Sequence, residues 1–263
     1  MTISQIIEAL ERVAPLTLQD GFDNAGVQIS TSHYSNEQTT GILVCLDITE
    51  DIIKEAIDKE CNLVVSHHPL IFEPLKRICA QTYQQRCVAM AIKNGITLYS
   101  AHTNLDNAPG GVNYRIAELI GVKGLQFMEP REGGGSGVIG TLEKPMEVME
   151  FLHMLKSTFK VEALQHNFTP TRAIEKKTVG RVAICGGAGS FLLEKAEALG
   201  ADVFITGEMS YHHWFGQNIV VAAMGHYQSE QFTMNLIADI ITEAFPQARV
   251  EITALNTNPV KTL

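Results

Sequence analysis

The sequence predicts an α/β fold in which duplicated strand-helix-strand units give two related lobes. Short β-branched runs bounded by turn residues alternate with segments of apolar spacing near 3.6, the pattern of buried strands joined by amphipathic helices. One order of segments then occurs twice. Residues 41–68 read GILVCLD, a helical stretch from Thr49 to Glu60, and NLVVSHH; residues 180–208 read GRVAICGG, a helical stretch from Ser190 to Leu199, and DVFITGE. The parallel continues with ITLYSAH leading into TNLD and, in the second half, IVVAAM leading into GHYQSE. Recurrence of this kind points to an internal repeat. A length of 263 residues lies between one large domain and two small ones, and the repeat favours two.

Each element has a local cause. In MTISQIIEALERVAP, Thr2 precedes Gln5 by the spacing of a capping box, which predicts a helix start. Glu8, Glu11 and Arg12 interrupt the apolar stretch that a signal peptide needs. After the first strand-helix-strand unit, a helical segment runs through Arg86 to Lys93, and a helix begins near Pro109 and takes in VNYRIAELI. The Gly-rich stretch 131–140, REGGGSGVIG, has the composition of a connector, with a hairpin turn as the alternative. Residues 145–160 place Pro145 at a helix start, and His153 within them reads as a surface or packed residue. TMNLIADIITEAF predicts an amphipathic helix after His226. No apolar run approaches the roughly 18 residues of a membrane span.

Composition narrows the function classes. Apolar residues at 45% and charged residues at 19% suit a soluble, globular chain with a sizeable core. Twenty basic against 29 acidic residues leave a formal charge of −9, which gives nucleic acid or an anionic membrane no global attraction. The five cysteines, Cys45, Cys61, Cys79, Cys87 and Cys185, form no CxxC pair and sit mostly in apolar stretches. They read as reduced core thiols of a cytoplasmic protein.

Residues able to bind metal collect at the strand ends, where open α/β sheets place their ligands. His67 and His68 follow the strand LVV, and Pro69 then ends any regular ladder. Buried or turn histidines are the alternative there. His102 and Asp106 follow ITLYS; Asn104 and Asn107 read as turn-shaping residues, whereas a carboxylate at Asp106 is placed to bridge two cations. His226 and Glu230 are four residues apart at a helix start and therefore share a face, a spacing that also occurs in plain surface pairs. Three imidazoles and two carboxylates are too few for two closed tetrahedral sites but suit two ions sharing carboxylate and water. The donors do not discriminate among zinc, iron, manganese and similar divalent ions.

Secondary candidates are His102, as a residue orienting a ligand or moving protons, and Glu208, His212 and His213 at the duplicated strand end. His213 or His212 would act as general acid or base, with a structural or interface role as the alternative, and a packed turn residue is the alternative for His102. Gly186, Gly187 and Gly189 form a strand-to-helix turn that reads as tight turning, with anion binding by its N–H groups as the alternative.

DNAGVQI, SHHPLIF, HTNLDNAPGGVN, TGEMSYHH and GHYQSE occur in this order along the chain, and with them the sequence resembles the NGG-interacting-factor-three-like family, whose bacterial members are often called GTP cyclohydrolase I type 2 homologues. The resemblance covers nearly the whole chain. It implies two intertwined α/β lobes, the first over 1–125 completed by a helix and strand from 230–263, the second over 126–229. It also implies two divalent metal ions on His67, His68, Asp106, His226 and Glu230, and a homohexameric ring. Two such ions suggest metal-dependent hydrolysis of a nucleotide or phosphoester, with a metal-bound water as nucleophile and His213 and His102, on their positions in the sequence, as the candidate catalytic side chains. A non-catalytic metal-binding or regulatory protein is the alternative.

Overall fold

The computed structural model describes residues 1–31, 36–169 and 178–263, and the fold is the mixed α/β arrangement that the repeat predicts. The chain forms two units, residues 1–108 with 233–259 and residues 109–232 with 260–263. Strands in the first half are β1 (Gly26–Ile29), β2 (Ile42–Cys45), β3 (Leu63–Ser66) and β4 (Thr97–Ser100). They are followed by β5 (Val122–Arg131), β6 (Gly134–Glu147), β7 (Gln165–His166), β8 (Thr178–Cys185), β9 (Val203–Thr206), β10 (Val220–Ala223) and β11 (Val250–Ile252).

In the first unit the sheet order is β1-β4-β3-β2-β11, with β11, β2, β3 and β4 parallel and β1 antiparallel at the edge. Every residue of β2, β3 and β4 is buried, as expected for parallel strands covered on both faces. Alternation along the strands directs Leu43, Cys45, Val64 and Leu98 into one apolar cluster with Ile52, Ile53 and Ala56 of helix Glu50–Asp58 and Cys87, Val88 and Ala91 of helix Tyr83–Lys93. Helix Ile3–Val13 carries the Thr2–Gln5 capping box and packs with helix Thr233–Ala244, so the end of the chain completes this unit.

The second unit has the order β5-β6-β8-β9-β10-β7, with β8, β9 and β10 parallel and the others antiparallel. Its cluster joins Ala183, Phe204 and Val221 to Leu192, Leu193 and Ala196. Equivalent backbone contacts relate the two units residue by residue. Ser66 Oγ donates to the His68 carbonyl at 2.8 Å, and Thr206 Oγ1 donates to the Glu208 carbonyl at 3.4 Å. Ala101 N donates to the Ser66 carbonyl and Met224 N to the Thr206 carbonyl, both at 2.9 Å. His68 thus corresponds to Glu208, and His102 to Gly225.

Four local expectations are corrected. Residues 134–140 are not a connector but the start of β6, which pairs with β5 around a two-residue turn at Glu132 and Gly133. A Cβ at Gly135 would meet the Phe127 ring, so that glycine admits a neighbour's side chain rather than freedom of the chain. Pro145 lies within β6, and the helix begins only at Val148. The change of unit falls at Ala108 and Pro109 rather than near 125, because helix Val112–Leu119 packs on β5, β6 and β8. His226 and Glu230 occupy their own short helix, His226–Glu230, separate from Thr233–Ala244. Among the described residues, no helix is long and apolar enough to cross a membrane.

Candidate metal centre

In the first unit the site grows from the ends of β3 and β4. His67 and His68 leave β3 with their backbone N–H groups donating to the Cys45 and Leu46 carbonyls at 3.2 and 2.9 Å, which fixes the main chain where the side chains diverge. His67 is fully buried and its Nδ1 meets the Ala101 carbonyl at 2.7 Å. His68 Nδ1 meets Asp47 Oδ1 at 2.7 Å, and His102 Nδ1 meets Asp23 Oδ1 at 2.7 Å. A carbonyl or carboxylate oxygen only accepts, so in each of these contacts Nδ1–H donates. A ring held through Nδ1–H in this way presents Nε2 as the atom that ligates a metal ion when the ring is neutral.

The three rings converge. One ring nitrogen from each of His67, His68 and His102 lies within 4.8 Å of the others, and His67 Nε2 is 3.7 Å from Asp106 Oδ1. Asp106 ends the short helix Thr103–Asp106, whose geometry Asn104 and Asn107 secure by donating to the Ala14 and Leu18 carbonyls at 2.7 and 3.0 Å. Their turn-shaping role is thus as read from the sequence. Burial pushes the Asp23 carboxyl up, but hydrogen bonds from His102 and Thr103, the His102 charge and the Asn24 N–H outweigh it and bring the pKa down to about 2. Burial opposes ionisation of Asp47 too, and the His68 and Thr257 contacts lower its pKa nonetheless.

In the second unit the same logic recurs with different residues. His226 Nδ1 meets Glu208 Oε1 at 2.9 Å, while its Nε2 lies 3.1 Å from Glu230 Oε2. Glu230 is buried beside the turn after β8. Gly187 has φ +57°, and a Cβ there would overlap the Glu230 carboxylate. The N–H groups of Gly186 and Gly187 donate to Asn113 Oδ1 and Ser229 Oγ, both at 3.0 Å. They serve tight turning rather than an anion. His212 and His213 are exposed on the 3-10 turn Tyr211–Trp214, and His153 is exposed on helix Val148–Thr158.

Asp23 and Asp47, which orient His102 and His68, escaped the sequence reading, and Glu208 entered it as a secondary candidate without its His226 partner. Asp47 carries a weak signal, an acid directly following a buried strand in LVCLD. The chemistry of the donors suits a divalent metal ion: imidazoles oriented through Nδ1, with carboxylate oxygens 3.7 and 3.1 Å from Nε2 of His67 and His226.

The chain is 33% identical over 249 residues to a Clostridium perfringens protein named GTP cyclohydrolase 1 type 2 homolog, covering 92% of each chain. It is 31% identical over 270 residues to NIF3-like protein 1 of Drosophila melanogaster, covering 99% of this chain and 89% of the relative. Among solved structures, a hypothetical protein of Staphylococcus aureus superimposes with a TM-score of 0.89 at 24% identity, over 100% of this chain and 99% of that one. A Bacillus cereus protein related to NIF3 gives 0.87 at 22% identity with the same coverage. The family profile for Duf34/NIF3 (NGG1p interacting factor 3) matches residues 1–259, and the chain belongs to that family.

Proposed function

We propose that the protein is a dinuclear divalent-metal hydrolase acting on a nucleotide or another phosphoester. His67, His68 and Asp106 of the first unit and His226 and Glu230 of the second are the ligands. The observation that carries this reading is the shared orientation of the imidazoles: His67, His68 and His226 each turn Nδ1 to an oxygen acceptor, and Nε2 of His67 and His226 lies 3.7 and 3.1 Å from the Asp106 and Glu230 carboxylates. When bound, two divalent ions supply Lewis-acid polarisation and lower the pKa of water.

The protein's own groups then have defined tasks. Asp47, Glu208 and the Ala101 carbonyl hold the ligand rings in one tautomer and orientation. His102, backed by Asp23, is a proton-transfer residue of the His–carboxylate kind. His213 is the second proton-transfer residue in this reading. The names of the relatives support a nucleotide ring as one substrate class, and phosphoesters in general as the wider one. A cytoplasmic homohexameric ring belongs to the same proposal.

The test joins metal content to turnover on one preparation. Anomalous scattering from crystals soaked in zinc or manganese should give paired peaks beside His67 and His226, and metal-replete protein should hydrolyse GTP or members of a phosphoester panel. Absence of turnover in metal-replete protein, together with an Asp106→Ala variant that loses metal yet matches wild type in every assay, would leave a non-catalytic metal-binding protein.

A further inference from the structure

We infer that Phe22 and Phe72 form a platform for a planar ring on the ligand of the first unit's histidine cluster, so that the site takes a phosphorylated compound bearing an aromatic heterocycle. Phe22 is 68% exposed and Phe72 47%, an unfavourable state for two large apolar rings in adjoining positions. Their centroids are 6.4 Å apart and the planes cross at 59°, an open angular pair rather than a closed stack.

The pair stands at the cluster and not elsewhere on the surface. The Phe72 ring meets the His102 ring edge to face at 6.2 Å, and Phe22 directly precedes Asp23, whose carboxylate holds His102. The two loops carrying the rings are tied together: Asn24 Nδ2 donates to the Ile71 carbonyl at 2.6 Å, and Ile71 N donates to Gln28 Oε1 at 3.2 Å. A rigid, solvent-facing aromatic pair beside a polar cluster matches a ligand with one flat apolar face and one charged end. Stacking on phenylalanine tolerates any heterocyclic base, since each has a π face. The phosphate end of such a ligand rests on the metal reading above; the ring end rests only on Phe22 and Phe72.

Calorimetric titration of manganese-loaded protein with adenosine 5′-monophosphate and with ribose 5-phosphate separates the two ends. The expected result is at least tenfold tighter binding of the nucleotide. Phe22→Ala and Phe72→Ala should each weaken nucleotide binding about tenfold while ribose 5-phosphate affinity and bound manganese stay as in wild type. Phe22→Tyr and Phe72→Tyr, which keep a ring, should retain nucleotide affinity and guard against a folding defect in the alanine variants. Equal affinity for the two ligands, or alanine variants that lose ribose 5-phosphate and manganese along with the nucleotide, would overturn the platform. Rings covered by a second copy of the chain in the assembly would give that equal-affinity result. Ring-dependent binding without turnover would sink the hydrolase reading and leave the platform standing.

Discussion

Thr257 donates its hydroxyl hydrogen to Asp47 Oδ2 at 2.6 Å, and the other oxygen of that carboxylate meets His68 Nδ1 at 2.7 Å. A residue 210 positions along the chain thereby fixes the rotamer of the group that orients a ligand histidine. Removing the hydroxyl frees the carboxylate to rotate, and partners of this kind are worth about 10–100-fold in metal affinity. Thr257→Val is expected to weaken metal binding about tenfold in a chelator competition. The melting temperature of the metal-free protein should stay close to that of wild type. Unchanged affinity would remove Thr257 from the site.

Asp23 ties acid stability to the His102 loop. Its carboxylate accepts from Thr103 N at 3.1 Å and Thr103 Oγ1 at 2.5 Å as well as from His102. Its pKa falls from 3.8 to about 2 on folding, so the ionised form stabilises the fold above about pH 4, and that contribution disappears as the pH drops towards 2. The shift is worth about 2 kcal/mol. Asp23→Asn in metal-free protein should therefore be destabilised by about 2 kcal/mol at pH 7 in urea unfolding. The deficit relative to wild type should shrink between about pH 4 and pH 2; a deficit independent of pH would contradict this.

Gly187 combines a left-handed backbone with the closest approach to Glu230. In Gly187→Ala the methyl group must displace the carboxylate, and the backbone itself costs about 1–2 kcal/mol. The variant should keep its far-ultraviolet circular dichroism while metal affinity falls at least tenfold. Full retention of metal would show that Glu230 is not a ligand.

The thiols should divide by position. Cys79 is exposed, whereas Cys45, Cys61, Cys87 and Cys185 are buried. Burial pushes Cys87 up to about 11 and raises Cys45 and Cys61 as well, which keeps their reactive thiolate scarce at neutral pH. Ellman's reagent should report one fast thiol per native chain, at Cys79, and the remaining four only after unfolding in guanidinium. Cys79→Ser should abolish the fast phase.

Much of the fold was legible because its signals are local. Apolar runs such as ILVC and LVVS become central parallel strands, the Thr2–Gln5 spacing becomes a capping box, and the repeat becomes two sheets with matching hydrogen bonds after β3 and β9. Glycine was the least legible residue. In 134–140 its abundance has the composition of a linker, yet Gly135 and Gly140 lie in a strand because Phe127 and the Lys123 carbonyl press against them. A missing side chain records who the neighbour is, and the neighbour is set by pairing that composition does not encode.

The sequence by itself determined the α/β class, the duplication and the placing of His67, His68, Asp106, His226 and Glu230 after strand ends. A histidine in the sequence, however, carries no tautomer and no direction. Only the tertiary structure decided that Asp47 accepts from Nδ1 of His68, Asp23 from that of His102 and Glu208 from that of His226. These partners lie 21, 79 and 18 residues away, and no periodicity of 2.0 or 3.6 spans such separations. Packing brings them within hydrogen-bond reach, and the contact then fixes the orientation of each ring.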